Sequence, residues 1–306
     1  MKFQHIDLGS LTKLKQDSSL VLGTFDGVHT GHRYLVKEAF KLNPHVTILL
    51  IYTNKKITKD HQTSGVLTTL DDRVNLFHKL HVEEVLLLNL DEKLLALSPE
   101  EFISQILVPL GPKDIVIGDD FRFGHRALGT PVLLRELGKN HFGVSIIPPM
   151  LIDSEKISTS LIKQELLTGN TFKARHLLGG YYRLTGLVTK GFGLGSKLGF
   201  PTANVALDPN YFLPRHGVYF VRVRYQDNFY FGMASLGYHP TVNEVNLPLL
   251  EVNIFDFKDD IYHQVLSVEF LRFIRPEEKF DSLDALVAKI EEDRATCYKF
   301  MNEGDF

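Results

Sequence analysis

The sequence predicts an α/β doubly wound parallel sheet followed by a small antiparallel β-barrel with a C-terminal helix, the two meeting near residue 180. Three observations carry this. At 306 residues the chain exceeds the usual size of one domain. Up to about Leu178, short apolar runs alternate with amphipathic stretches, and after Gly179 and Gly180 short alternating strands take over until the last turn of sequence.

In the first half, SLVLG, VTILLIY, VEEVLLLNL, DIVIGDD and VSIIPP read as strands. Between them, HRYLVKEAF, DDRVNLFHKL and SPEEFISQIL place apolar residues three and four apart, as helices do, and alternating units of this kind build parallel sheets. Ser98 and Glu101 form a capping box, with Pro99 at the first helical position. In the second half, YYRLTGLVTKG, GVYFVRVRY, YFGMASLG, LLEVNIFDF and VLSVEFLRFI alternate as barrel strands do. The closing helix puts Leu283, Leu286, Val287 and Ile290 on one face. The domains are therefore expected at 1–179 and 180–306.

The composition, 44% hydrophobic and 23% charged, is that of a globular protein. A formal charge of −3 gives no bulk attraction for nucleic acid or anionic membrane, so small-molecule partners are expected, and the chain as a monomer or weakly self-associating. No apolar run reaches membrane-span length, and the start MKFQHIDLGSLTKLKQD lacks the apolar core of a secretory signal; the expected location is cytoplasmic. The single cysteine, Cys297, lies in helical apolar spacing and reads as a buried structural thiol.

The segment SLVLGTFDGVHTGH runs from an apolar strand through a Gly-bearing turn into a helix opening near Gly31, and amides at such a start favour phosphate. His29 and His32, three apart, can share one side and donate to phosphate oxygens; two solvated histidines, or half of a zinc site, fit the same spacing. Further on, in KISTSLIKQELLTGN, Ser158, Thr159 and Ser160 can cap a helix or donate to phosphates, while Lys163 adds positive charge. GTFDGVHTGH resembles the signature of the nucleotidyltransferase superfamily that moves AMP or CMP from a triphosphate onto a phosphate, and KISTSLIKQ resembles its second element. IVIGDDFRFG resembles the segment lining the flavin and nucleotide cleft in bacterial bifunctional riboflavin kinase/FAD synthetases. The resemblance implies a nucleotidyltransferase-like fold, ATP and phosphate contacts at Gly23, Thr24, Phe25, Asp26, Ser158, Thr159, Ser160 and Lys163, catalytic roles for His29 and His32, and flavin contacts at Asp120, Phe121 and Phe123.

In GLVTKGFGLGSKLGFPTANV, closely spaced glycines suit a loop closing over phosphates. Thr202 and Asn204 are two apart and in a strand face the same way, where they share a Mg²⁺ ion or satisfy a turn. GFPTAN after such a loop resembles the riboflavin kinase signature. This implies ATP contacts at Gly191, Gly195, Lys197, Gly199, Phe200 and Pro201, metal ligation by Thr202 and Asn204, and Glu251 of LLEVNIFDF as general base.

The resemblance as a whole implies ATP-dependent phosphorylation of riboflavin to FMN and adenylylation of FMN to FAD, with Mg²⁺ accompanying ATP. The sequence departs from the family at IYTNKK, at HRALGT after Gly124, at Lys163 where arginine is typical, and at Ser196 and His239. Those departures leave open a monofunctional riboflavin kinase with a degenerate N-terminal half, or a non-catalytic flavin-binding regulator.

Overall fold

The apolar runs of the first half become strands because both of their faces are covered. In the computed structural model, which describes residues 2–9, 11–14, 17–53, 65–191, 195, 198–238 and 248–304, six of them form one parallel sheet. These are β1 (Lys2–Ile6), β2 (Ser19–Gly23), β3 (Val46–Tyr52), β4 (Glu84–Asn89), β5 (Asp114–Gly118) and β6 (Gly143–Ile147), in the order β1-β4-β3-β2-β5-β6, and a short antiparallel pair, β7 (Leu151–Ile152) and β8 (Glu155–Lys156), follows them in the chain. Alternate residues divide between two cores: Leu20, Leu22, Leu49, Leu86 and Ile115 face one, and Val21, Ile48, Leu50, Val85 and Val116 the other. Truncating one of these, for example Leu49→Ala, should cost about 2–5 kcal/mol.

Helices cover both faces. α1 (Thr30–Leu42) and α2 (Leu70–Lys79) bury Val36, Ala39, Val74 and Phe77 in the second core. The first core receives Phe102, Ile106 and Leu110 from the helical run that starts with α3 (Pro99–Phe102), and Leu134 from α4 (Pro131–Gly138). The capping box is present, with Ser98 Oγ accepting from the Glu101 amide at 3.2 Å and the Glu101 carboxylate accepting from the Ser98 amide at 2.8 Å. β2 lies between β3 and β5, so the strand order reverses direction there, and ligands bind outside the carboxyl ends of strands at such a point.

The chain divides into two compact units, one of Met1–Lys56 with Thr68–Thr159 and one of Ile57–Leu67 with Ser160–Phe306. In the second unit, six strands, β9 (Tyr182–Thr189), β10 (Ala203–Leu207), β11 (Gly217–Tyr225), β12 (Asn228–Tyr238), β13 (Pro248–Ile254) and β14 (Val265–Arg275), form an antiparallel barrel. It closes in the order β10-β13-β12-β11-β14-β9. Val188, Val205, Val221, Leu236, Val252 and Val268 fill the interior at alternate positions. β10 begins at Ala203, within the PTAN segment, and is a strand beyond the five read from sequence.

The helices α5 (Thr159–Thr168) and α6 (Thr171–Leu178) contribute Ile162, Leu166, Ala174 and Leu177 as buried residues, and Thr171 Oγ1 donates to the Leu271 carbonyl at 2.8 Å. α7 (Leu283–Glu303) closes the fold from outside the barrel. Its contact differs from the sequence expectation: Leu283 is 59% exposed, and the packing runs through Ile290, Cys297, Phe300 and Met301 against Val218, Phe220 and Leu271. The helix is anchored by Asp293, whose two carboxylate oxygens accept from Arg275 Nε at 3.0 and 2.9 Å. Burial, then Asp293, pushes the Cys297 thiol up to about 12, in keeping with a structural thiol.

Candidate active sites

β2 ends at Gly23, and the chain turns through Thr24–Val28 before α1 begins. The turn is left-handed at Phe25 (φ 52°), Gly27 (82°) and Val28 (40°). Glycine accepts this freely, but for phenylalanine and β-branched valine it costs on the order of 1–3 kcal/mol each and persists only where neighbours over-determine it. Those neighbours are visible. Phe25 is buried edge-on to Phe77 of α2 at 5.2 Å, and its ring also meets His32 at 5.2 Å. Asp26 Oδ1 accepts from the Thr68 amide at 3.1 Å and pairs with Arg73 Nη2 at 3.3 Å.

His29, 6% exposed, caps α1: its Nδ1 accepts from the His32 amide at 3.3 Å. With Nδ1 accepting, the neutral ring carries its proton on Nε2, which is then the free donor. The two imidazoles stack, centroids 3.6 Å apart and 16° from parallel. Burial lowers the His29 pKa to about 4, with Asp120 opposing and Arg33 assisting. Burial, then His29 and Arg73, takes His32 well below the ordinary histidine value. Both rings are therefore uncharged donors at neutral pH. His32 Nδ1 is buried with no hydrogen-bond partner among the described residues.

These groups border a cavity of about 680 Å³ at the carboxyl ends of β2 and β5, within the usual range for small-molecule sites. It brings together Gly23, Thr24, Phe25, His29 and His32 from the first motif, Asp120, Phe121 and Phe123 from the loop after β5, and Ser158 and Thr159 from the second motif. Phe121 and Phe123 lie 18° from parallel at 5.8 Å, and Phe123 backs onto Phe102 at 5.3 Å. Thr159 Oγ1 donates to the Asp26 carbonyl at 3.2 Å.

Asp26, Ser160 and Lys163 do not line this cavity. Ser160 is exposed in the first turn of α5. The Lys163 ammonium donates to the Gly65 carbonyl and lies 5.4 Å from the Phe212 ring centroid. Sequence reading passed over Thr68, Arg73 and Lys156. Lys156 Nζ bridges to Asp120 at 2.8 Å and Asp119 at 3.8 Å at the cavity. Its nearness in sequence to the serine and threonine cluster was the only signal available.

On the barrel, Asn204 stands directly opposite Glu251 on the neighbouring strand, and Glu251 stands opposite Ser235 on the next. Interior neighbours Val205 and Val252 are buried, so Asn204 and Glu251 share the outer face. Gly191 and Gly195 approach the PTAN segment closely. A Cβ on Gly191 would strike the Asn204 side-chain amide, and one on Gly195 would strike the Phe200 carbonyl and lie 3.1 Å from Thr202 Oγ1. The Phe200 amide donates to the Gly195 carbonyl at 2.8 Å, Gly199 turns at φ +85°, and Asn253 Nδ2 donates to the Pro201 carbonyl at 2.7 Å. Lys197, Ser196 and His239 lie outside the described residues, as do 54–56 of IYTNKK.

The threonine hydroxyl and the asparagine amide oxygen are hard donors and fit Mg²⁺, an ion that commonly fills its shell with phosphate and water. Among the described residues, no group of three or more His, Cys, Asp or Glu could hold a metal by itself. Beside Thr202 and Ala203 a second cavity, of about 450 Å³, opens between Val188, Ile254 and the loop bearing Phe257 and Tyr262, a loop the sequence did not mark.

The family model for FAD synthetase matches residues 11–161, and that for riboflavin kinase matches 178–301. A bifunctional riboflavin kinase/FMN adenylyltransferase of Haemophilus influenzae is 36% identical over 96% of this chain and 98% of its own. That of Bacillus subtilis is 31% identical over 93% of each chain. A solved structure described as a macrolide-efflux protein from Streptococcus pneumoniae shares the fold at a TM-score of 0.87, with 31% identity over 97% of this chain and 98% of its own. Among the described residues of this chain, no helix is long and apolar enough to cross a membrane. With its parallel sheet, its closed barrel and both family models in this order, the chain belongs to the bifunctional riboflavin kinase/FMN adenylyltransferase family.

Proposed function

We propose that the chain phosphorylates riboflavin with ATP on the barrel, giving FMN, and transfers AMP from a second ATP to FMN in the N-terminal cavity, giving FAD. The observation that carries this reading is that each compact unit brings its own motif residues together, Gly23, Thr24, His29, His32, Ser158 and Thr159 around the N-terminal cavity and Asn204 opposite Glu251 on the barrel. We assign adenylyl transfer to residues 1–179 and phosphorylation to 180–306. Residues 160–178 cluster physically with the barrel, so the functional boundary and the packing boundary need not coincide.

For adenylyl transfer, a phosphate oxygen of FMN attacks the α-phosphorus of ATP, the bond to the bridging oxygen breaks, and pyrophosphate leaves. His29 and His32, uncharged and stacked, donate N–H groups to the oxygens on which charge builds. The amides at Gly23 and Thr24 and the hydroxyls of Ser158 and Thr159 bind phosphates. Phe121, backed by Phe123, offers a ring face to the flavin, and Asp120 a hydrogen-bond acceptor.

For phosphorylation, Glu251 takes the proton from the ribityl 5′-hydroxyl as that oxygen attacks the γ-phosphorus and ADP leaves. Gly191, Gly195, Lys197, Gly199, Phe200 and Pro201 form the loop over the ATP phosphates. Thr202 and Asn204 would hold Mg²⁺, which when bound neutralises charge on the phosphates. The enzyme is read as cytoplasmic, monomeric or weakly self-associating, and confined to small-molecule partners.

The test is to incubate purified protein with riboflavin, ATP and Mg²⁺ and to separate riboflavin, FMN and FAD by chromatography. Both products are expected. FMN without FAD would favour a kinase-only reading, for which the engagement of Lys163 with Gly65 and Phe212 is the specific support. Tight flavin binding with no product would favour a regulator.

A further inference from the structure

We propose that Asp26, Thr68 and Arg73 form a positioning network for adenylyl transfer, holding the left-handed Phe25–Val28 turn that sets His29 and His32 without touching substrate. The inference rests on the adenylyl-transfer reading of the N-terminal cavity and removes Asp26 from the phosphate-binding set.

Arg73 lies one turn into α2 and is 6% exposed. Its Nη1 donates to the Thr24 carbonyl at 2.9 Å, its Nη2 to the Thr68 carbonyl at 2.9 Å and to Asp26 Oδ1 at 3.3 Å, and its Nε to the Thr68 carbonyl at 3.2 Å. Thr68 completes the clasp: its amide donates to Asp26 Oδ1 at 3.1 Å, and its hydroxyl accepts from the Gly27 amide at 2.8 Å. Thr24, Asp26 and Gly27 are thus each tied to one short segment, while Phe77 of the same helix pins Phe25.

A turn with phenylalanine and valine at positive φ needs such over-determination, and to its own bond, in which the Val28 amide donates to the Phe25 carbonyl at 3.1 Å, the clasp adds several from outside. The turn leads directly to His29, the cap of α1, and Phe25 carries the ring edge on which His32 rests. None of Asp26, Thr68 and Arg73 lines the cavity. A carboxylate neutralised from behind by a buried guanidinium is also the wrong group to receive phosphate, whereas a planar fork that binds a carbonyl and a carboxylate together suits a clamp.

The experiment uses the full chain with Asp26→Asn, Arg73→Met, Arg73→Lys and the near-isosteric Thr68→Val, measuring FAD formation from FMN and ATP, FMN formation from riboflavin, and thermal unfolding. A misplacement of about 1 Å costs on the order of a hundredfold in rate. Expected is a kcat for FAD formation lower by about tenfold to a hundredfold, with KM for ATP and FMN within about threefold, in protein that unfolds well above the assay temperature. Arg73→Lys should recover part of the rate lost in Arg73→Met. A raised KM for ATP at unchanged kcat would make Asp26 or Arg73 a substrate contact and overturn the proposal. So would wild-type kinetics in Thr68→Val, the mildest change, or a loss of kcat in every variant that tracks the unfolded fraction. If the unmodified protein makes no FAD, the underlying reading fails instead.

Discussion

Asn204 and Glu251 face each other across one rung of the antiparallel β10–β13 ladder. Side chains directly opposite in such a ladder have Cβ atoms about 4.5–5.5 Å apart, close enough to serve one bound phosphate group together. If Glu251 is the base, Glu251→Gln preserves shape and hydrogen bonding but cannot take the hydroxyl proton. FMN formation should fall by on the order of a hundredfold in kcat, with ATP affinity retained. Single-turnover kinetics with a parallel ATP titration checks this; lost ATP affinity at an unchanged chemical step would move Glu251 to a binding role.

Gly191 lies so close to the Asn204 amide that even one methyl group must displace it. Gly191→Ala should therefore lower FMN formation by about tenfold, as Asn204→Ala should, and combining the two should add little because both disable the same contact. Excess chelator should stop FMN formation in the unmodified protein. Additive effects of the two substitutions would separate Gly191 from Asn204.

Much of this was legible in the residues themselves. SLVLG, VTILLIY and DIVIGDD announce buried strands because both faces are apolar, and two cores receive them. β1, KFQHI, went unread because it is a short edge strand with only Ile6 buried. β10 was hidden by the proline and asparagine of its own motif. The glycine loop, PTAN and Glu251 were found as separate segments, and their adjacency is a matter of ladder register that no local pattern encodes. Arg73 was invisible for the same reason: its partner Asp26 lies 47 residues away, and in DDRVNLFHKL it reads as an ordinary helical charge. Motif reading also gave Phe25 and Asp26 the same role as their neighbours, whereas tertiary packing turns the first into core and the second toward Arg73.

The histidines give a pH dependence with a definite sign. The unfolded His29 ring takes up a proton near 6.5, and the folded ring, held down by burial, only near about 4. Between those values the unfolded chain binds more protons, so this contribution to stability is complete above about pH 6.5 and is lost as pH falls toward about 4. Thermal melts should show the unfolding temperature dropping across that window, less so in His29→Asn. FAD formation should show no limb near pH 6.5 from these two rings. A protonation step there in kcat, abolished by His29→Asn, would contradict the uncharged-donor assignment.

His29 does two things at once, and two substitutions separate them. Its ring nitrogen caps α1 by accepting from the His32 amide, and its other nitrogen is a donor toward the cavity. His29→Ala removes both, with a capping loss of about 1 kcal/mol, whereas His29→Asn restores a good cap and still lacks the imidazole. Stability should therefore recover in the asparagine variant while FAD formation stays low. His32→Ala removes the stacked partner, and the loss of one transition-state donor costs about 3 kcal/mol, roughly a hundredfold or more in rate. Because Asn204, Thr202 and Glu251 belong to a different compact unit, riboflavin phosphorylation should stay near the unmodified rate in all three variants. Chromatographic rates for both reactions, set beside thermal melts, decide the matter. Full FAD formation in His29→Asn would reduce His29 to a helix cap, and loss of both reactions in folded His32→Ala would break the separation of the two sites.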